Sequence, residues 1–188
     1  MAKASSDTLP ESSGINSSRA LWWYALALVV IVLDQYSKSL ATAGLDYGRP
    51  VEVFSWFNLT LQHNTGAAFS FLSNAGGWQR WFFSVVAGAI SIGLTIWLWR
   101  MPRGQWLLAL SLGLILGGAV GNLWDRLALG YVVDFISVHY AGRYFPAFNL
   151  ADSAITAGAA CMLLDSFISR PESEGTDQAA RKESPGGE

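Results

Sequence analysis

The sequence predicts an all-α membrane protein, a bundle of four transmembrane helices with a small extracytoplasmic β-sheet. Charged residues make up only 14% of the 188 residues, against about 25% in a typical soluble domain. Four apolar runs of about 17–22 residues approach the ~20 residues that a helix needs to cross the hydrocarbon layer. Two shorter runs between them are rich in β-branched and aromatic residues, which is typical of strands.

The four candidate spans have Trp residues clustered at their ends, as expected where indole rings lie at the two membrane interfaces. The spans are Trp22–Leu40, Trp78–Trp99, Trp106–Leu123 and Asp152–Ile168. The first is longer than the apolar region of a cleavable signal sequence, about 7–15 residues, so we interpret it as a retained helix. The third carries four glycines that favour close helix packing: Gly113, Gly117, Gly118 and Gly121.

One membrane domain, residues 19–170, lies between two polar tails. Residues 1–18 and 171–188 show no apolar period, so we expect both tails to be disordered. Seven of the fourteen acidic residues lie in these tails, which leaves the centre of the chain nearly uncharged, as lipid requires. No basic stripe indicates a nucleic acid partner.

Basic residues predict the orientation of the bundle. The link between the second and third spans, Arg100 to Arg103, is so short that these helices must be antiparallel neighbours. Its two arginines favour the cytoplasmic side, and Arg19 and Arg170 agree with them. Both tails are then cytoplasmic, and the segments that join the other spans are extracytoplasmic.

The two extracytoplasmic segments, about 47–72 and 131–147, predict the β-sheet. Val51–His63 shows a rough alternation of apolar and polar residues, and Tyr131–Phe148 contains a second extended run before a turn at Gly142-Arg143. Neither run is long enough to span, and open sheet edges are not tolerated in lipid. We therefore expect a small sheet at the membrane interface.

Ionisable side chains in or beside the spans are the candidates for chemistry, because a charge in lipid is costly. The acids are Asp34, Asp125, Asp134, Asp152 and Asp165. Asp134 and Asp152 belong to different elements, yet both fall at the outer edge of the bundle, whereas Asp165 falls near the inner face. Two converging carboxylates can share one proton, so that one acts on water and the other on a carbonyl, as in aspartic peptidases. Alternatively, each is hydrogen-bonded separately at the interface.

Other chemistries fit the sequence less well. It contains no HExxH or GxSxG motif, and His63 and His139 lie in predicted strands, so no metal site and no serine nucleophile is indicated. Ser37 and Lys38 are adjacent on a helix and point apart. Lys38 instead shares a helix face with Asp34, four residues earlier, and we expect these two to pair.

Five short motifs resemble those of the bacterial lipoprotein signal peptidases, also called signal peptidase II. In chain order they are DQYSK from Asp34, NTGAAF from Asn64, GGAVGNLWDR from Gly117, VDF from Val133 and FNLAD from Phe148. Their order on a chain with four spans makes the resemblance specific, and no key position departs from the family's pattern. The resemblance covers about Asp34 to Asp152 and leaves out both tails.

The resemblance implies an aspartic peptidase of the bacterial inner membrane, with its active site near the outer face. Asp134 and Asp152 would be the catalytic dyad, while Asp34, Lys38 and Asp125 would be structural. Four residues would bind the substrate or support the dyad: Asn64, Asn122, Arg126 and Asn149. The alternative role for these four is polar contact between helices.

The implied substrate is a prolipoprotein whose cysteine already carries diacylglycerol, cut just before that cysteine. No metal or organic cofactor is implied. We expect a monomer whose partners are lipidated prolipoproteins and membrane lipid.

A small proton-coupled transporter or channel is the alternative from another class, because membrane acids can also form a proton relay. A structural scaffold is a third possibility. A relay needs polar groups at all depths, whereas these acids gather at one face and the second and fourth spans offer little polar lining. The sequence therefore favours the peptidase.

Overall fold

Four membrane-spanning helices form the body of the protein, whose computed structural model describes residues 17–66, 77–102 and 104–168. The helices are α1 (Ser17–Gly44), α2 (Trp78–Arg100), α3 (Trp106–Ala128) and α4 (Leu150–Ile168). All four are long and apolar enough to cross a membrane, which confirms the predicted fold class. α1 already includes Ser17 and Ser18, which the sequence assigned to the first tail, and the rest of both predicted tails lies outside the described residues.

The outward surfaces of the helices are apolar, as contact with lipid requires. Leu28, Val85 and Leu163 are examples of large hydrophobic side chains that remain exposed within the spans. Trp78 and Trp106 are exposed at the first residues of α2 and α3, where interface aromatic residues are expected. The protein is therefore a multi-pass membrane protein.

α3 lies at the centre of the bundle and packs against each of the other three helices. It can approach α1 and α4 closely because glycines occupy the contact positions. A Cβ atom on Gly117 would lie 2.7 Å from the Val30 side chain and 2.8 Å from the Ala27 carbonyl oxygen of α1. A Cβ atom on Gly118 would overlap the Ala151 carbonyl group of α4. The predicted packing role of these glycines is confirmed.

A four-stranded antiparallel sheet covers one end of the bundle, in the order β1-β2-β3-β4. Its strands are β1 (Val51–Phe54), β2 (Phe57–Asn64), β3 (Val132–Tyr140) and β4 (Arg143–Tyr144). The strands follow α1 and α3 along the chain, so the sheet lies where these two helices end and where α2 and α4 begin. We call this the sheet end. The predicted small sheet is thus confirmed, and its strands fall within the segments 47–72 and 131–147, of which residues 67–72 lie outside the described part.

Candidate active site

Asp134 projects from β3 and is 2% exposed. It pairs in register with Gln62 of β2, beside an irregularity in the β2–β3 ladder; such bulges re-aim side chains and are frequent next to active sites. Asn64, the last residue of β2, donates its Nδ2 to Asp134 Oδ2 at 3.0 Å, and Asn149 donates its Nδ2 to Asp134 Oδ1 at 2.7 Å. Both carboxylate oxygens are therefore held by amide donors.

Asp152 lies in the first turn of α4, where it takes part in the cap of that helix. Its backbone N–H donates to Asn149 Oδ1 at 2.9 Å, and its own Oδ2 accepts the backbone N–H of Asn149 at 3.3 Å. This reciprocal pair is a capping box, which satisfies two otherwise unpaired N–H groups at the helix start. The position of Asp152 at a helix N-terminus also stabilises negative charge.

Asn149 joins the two aspartates into one network. It is fully buried, contacts both carboxylates, and places its Nδ2 3.2 Å from Asn122 Oδ1. Asn122, on α3, in turn donates its Nδ2 to Asp152 Oδ1 at 2.7 Å. Side chains from β2, β3, α3 and α4 thus meet at the sheet end, and the two carboxylates that the sequence singled out lie in the same hydrogen-bonded group.

Burial raises the pKa of the Asp134 carboxyl from an ordinary value of 3.8 to about 7, and the negative charge of Asp152 acts in the same direction. The hydrogen bonds from Asn64 and Asn149 favour the ionised form and oppose this rise. The net result is a carboxyl that still holds its proton in part of the molecules at neutral pH. Such a carboxyl can act as a general acid under physiological conditions.

Arg126 lies beside this network. Its Nη1 donates to the Asn122 carbonyl oxygen at 3.3 Å, and its guanidinium lies 5.5 Å from the centre of the Phe83 ring. Within the described part of the chain it forms no ion pair with either aspartate, and its Nε is buried without a hydrogen-bond partner. Sequence reasoning missed Phe83, since nothing in an apolar span marks one aromatic residue as the partner of a distant arginine.

The predicted pair of Asp34 and Lys38 is present, with 2.7 Å between Asp34 Oδ2 and Lys38 Nζ. Asp125 joins it at 2.9 Å from the same Nζ, and Gln35 Nε2 donates to Asp125 Oδ1 at 2.8 Å. The structural role expected for Asp34, Lys38 and Asp125 stays a prediction. The hydrogen bond from Gln35 to Asp125 was not predicted, although Gln35 belongs to the DQYSK motif.

Among the described residues, Asp165 and the two histidines are not among the side chains that form this network. Asp165 is near the far end of α4, opposite the sheet end. His63 stacks on Tyr131 with 3.9 Å between ring centres, and His139 stacks on Tyr144 at 4.7 Å. In residues 17–66, 77–102 and 104–168, no three His, Cys, Asp or Glu side chains are grouped so that they could hold a metal ion.

The family model of signal peptidase (SPase) II matches residues 26–168, which include the whole network. The chain belongs to the signal peptidase II family. A lipoprotein signal peptidase of Teredinibacter turnerae is 53% identical over 154 residues, covering 82% of this chain and 92% of that protein. A lipoprotein signal peptidase of Acinetobacter baumannii is 56% identical over 148 residues, covering 79% and 84%.

Solved structures agree with this membership. One described as a bacterial membrane enzyme, determined by the in meso method at 2.3 Å resolution, superimposes with a TM-score of 0.69 at 30% identity, covering 84% of this chain and 94% of that one. A second, at 1.9 Å resolution, superimposes with a TM-score of 0.68 at 28% identity. As a member of the signal peptidase II family, the protein is a membrane peptidase, and the transporter alternative is not supported.

Proposed function

We propose that this protein removes signal peptides from prolipoproteins and that Asp134 and Asp152 form its aspartic catalytic dyad. The observation that carries the proposal is the network in which Asn149 contacts both carboxylates. The two aspartates come from different elements and differ in their surroundings: one is buried on a strand, and the other caps a helix. Carboxylates in unlike environments can take the separate roles of acid and base.

In this mechanism Asp152 is ionised and accepts a proton from the attacking water, while protonated Asp134 donates its proton to the scissile carbonyl oxygen. The water oxygen bonds to the carbonyl carbon and forms a tetrahedral intermediate. Asp152 then delivers its proton to the peptide nitrogen as the C–N bond breaks, and Asp134 recovers its proton as the carboxyl product forms. Burial of the site strengthens the electrostatic interactions in it, because the low dielectric of the protein interior screens charges less than water does.

The three asparagines support this chemistry. Asn64 and Asn149 donate to opposite oxygens of Asp134, and Asn122 donates to Asp152. These donors hold each carboxylate in one orientation, which is the positioning that acid–base catalysis requires. Arg126 lies beside this network, and its guanidinium is the candidate donor to a carbonyl group of the substrate backbone.

The pH dependence of kcat/KM tests which aspartate is the acid. If protonated Asp134 is required, kcat/KM should fall as pH rises through about 7, with a slope of one proton. The same raised pKa means that the folded state holds this proton more tightly than the unfolded chain. Binding of this proton therefore stabilises the folded state fully at acidic pH, and that stability is lost as pH rises through about 7. A thermal melt at each pH must accompany the rate, so that loss of folded protein is not taken for loss of catalysis. A rise of kcat/KM through pH 7 would instead make Asp134 the base.

We further propose that the substrate is the diacylglyceryl-modified prolipoprotein and that the cut falls just before the lipidated cysteine. A membrane peptidase of this size offers little surface for reading a long peptide sequence. Two acyl chains in the adjacent lipid would anchor the substrate, at about 0.8 kcal/mol per buried CH₂ group. An unlipidated precursor should therefore be cleaved far more slowly than its diacylglyceryl form when both are assayed in the same micelles. Equal rates for the two precursors would refute lipid anchoring.

The proposed location is the bacterial inner membrane, with both tails in the cytoplasm and the sheet end at the outer face. Arg100 ends α2 at the opposite end of the bundle, and with Arg103, three residues later in the sequence, it supports this orientation through the positive-inside rule. In a Cys161→Ala background, an impermeant thiol reagent added from outside should label Ser55→Cys, in the exposed turn between β1 and β2. It should not label Pro10→Cys or Ala180→Cys, and labelling of either tail would invert the orientation.

A further inference from the structure

A buried charged cluster adjoins the dyad and is formed by Lys38, Asp34 and Asp125. We call it the Lys38 cluster. The Lys38 Nζ lies 2.7 Å from Asp34 Oδ2, 2.9 Å from Asp125 Oδ2 and 3.0 Å from the Oδ1 of Asn122. These three contacts match the three donors of an ammonium group. A buried cluster of charges is weak evidence of a contribution to stability. The contacts of the Lys38 cluster with the rest of the molecule are a better guide to its role.

Both carboxylates of the Lys38 cluster bind backbone amides beside the dyad. Asp34 Oδ1 accepts the N–H of Ala151 at 2.9 Å, and Asp125 Oδ2 accepts the N–H of Val133 at 3.1 Å. These two amides belong to the residues immediately before the two dyad aspartates. One ammonium group therefore connects to the backbone on which each catalytic carboxyl is carried.

Asn122 provides a third connection, this time through a side chain. Its Oδ1 faces Lys38 Nζ, and its Nδ2 donates to Asp152 Oδ1 at 2.7 Å. If the amide turned by 180°, it would present hydrogens to the ammonium and an oxygen to the carboxylate, and both contacts would be repulsive. The charge of Lys38 thus selects the amide orientation that donates to Asp152.

We propose that Lys38 is a positioning residue for catalysis, which sets the separation and orientation of the two dyad carboxyls through Asp34, Asp125 and Asn122. The proposal rests on the dyad function proposed above. Lys38 acts through these three partners, because its ammonium donors are directed to their oxygens. Its removal should therefore slow the chemical step more than it weakens substrate binding.

The test is Lys38→Met, which keeps the apolar stem and removes the ammonium. We expect kcat on a lipidated precursor to fall about 100-fold, the cost of a displacement near 1 Å at a catalytic group, while KM stays within about twofold. The double variant Lys38→Met/Asp34→Asn removes one charge of each sign and so adds no buried net charge. The double variant should likewise lose kcat while KM stays nearly unchanged. It serves as the test if the single variant does not fold.

The matched control is Gly113→Ala, which perturbs the same α1–α3 interface away from the dyad. Its Cβ would lie 3.2 Å from the Trp23 carbonyl oxygen and 3.3 Å from the Leu26 side chain. It should lower the melting temperature and leave kcat unchanged. If the Lys38 variants melt at lower temperature but keep kcat within about threefold of wild type, the cluster is only structural and the proposal is overturned. Asp134→Asn is assayed alongside, because an active Asp134→Asn enzyme would overturn the dyad itself and not the positioning role alone.

Discussion

Replacement of either dyad aspartate by asparagine is expected to abolish peptide cleavage while the protein still folds and inserts. An amide can neither accept the proton of the attacking water as a carboxylate does nor donate an acidic proton to the carbonyl oxygen. General acid–base catalysis contributes about 10²–10⁴-fold, so Asp134→Asn and Asp152→Asn should each lower kcat by about 1000-fold. Because the two groups act together, the double variant should be little worse than either single one. The measurement is turnover of a lipidated precursor, with a thermal melt of each variant in detergent.

The matched control for this exchange is Asp46→Asn. Asp46 is exposed and its only charged contact in the described part of the chain is with Arg49, at 3.6 Å, so its loss should leave turnover unchanged. Asp125→Asn should give only a partial loss, because Asp125 holds neighbouring groups and does not touch the reacting atoms. The assignment is wrong if either dyad variant keeps more than about a tenth of wild-type turnover, a deficit of only ~1.4 kcal/mol in the barrier.

Gly118→Ala is expected to destabilise the protein strongly and to inactivate it. The added methyl group would overlap the Ala151 carbonyl group and lie 2.7 Å from the Ile155 side chain, so α4 would have to move away from α3. Overpacking typically costs about 1–3 kcal/mol, and a clash with backbone, which cannot rotate away, belongs at the upper end. The displaced helix carries Asp152 and its cap, Asn149. The melting temperature and the turnover of the lipidated precursor should therefore fall together.

Gly93→Ala is the control for this second prediction. Among the residues that the structure describes, no atom of another element would lie within 4 Å of a Cβ atom on Gly93, in α2. Alanine should therefore be neutral there, or stabilising by up to about 1 kcal/mol through helix propensity. A Gly118→Ala enzyme that melts and turns over like Gly93→Ala would show that α3 and α4 do not need the close approach described above.

The local features of this protein could be predicted from the sequence because they depend on neighbours along the chain. Span length and hydropathy decide where a helix can cross lipid, and the observed helices contain or nearly coincide with the four predicted runs. The pair of Asp34 and Lys38 follows from the spacing of four residues on one helix face. The alternation in Val51–His63 likewise predicts strands without knowledge of their partners.

The convergence of Asp134 and Asp152 could be expected from topology but depends on contacts between distant elements. It requires the register of β3 against β2 and the close packing of α4 on α3 at Gly118. Only the tertiary structure brings Asn149 between the two carboxylates, because Asn149 caps α4 and at the same time donates to Asp134 on β3.

By itself, then, the sequence determined the four spans, the strand segments and the residue types available for chemistry, because periodicity and hydropathy act over a few turns of chain. The tertiary structure decided how those residues are held. Asp125 completes the Lys38 cluster from a different helix, and the two carboxylates of the cluster bind the backbone beside each dyad aspartate. The contact that orients Asn122 likewise joins residues far apart in sequence. Such contacts leave no periodic signal, because they arise only when helices and strands have packed and their buried polar groups must find partners.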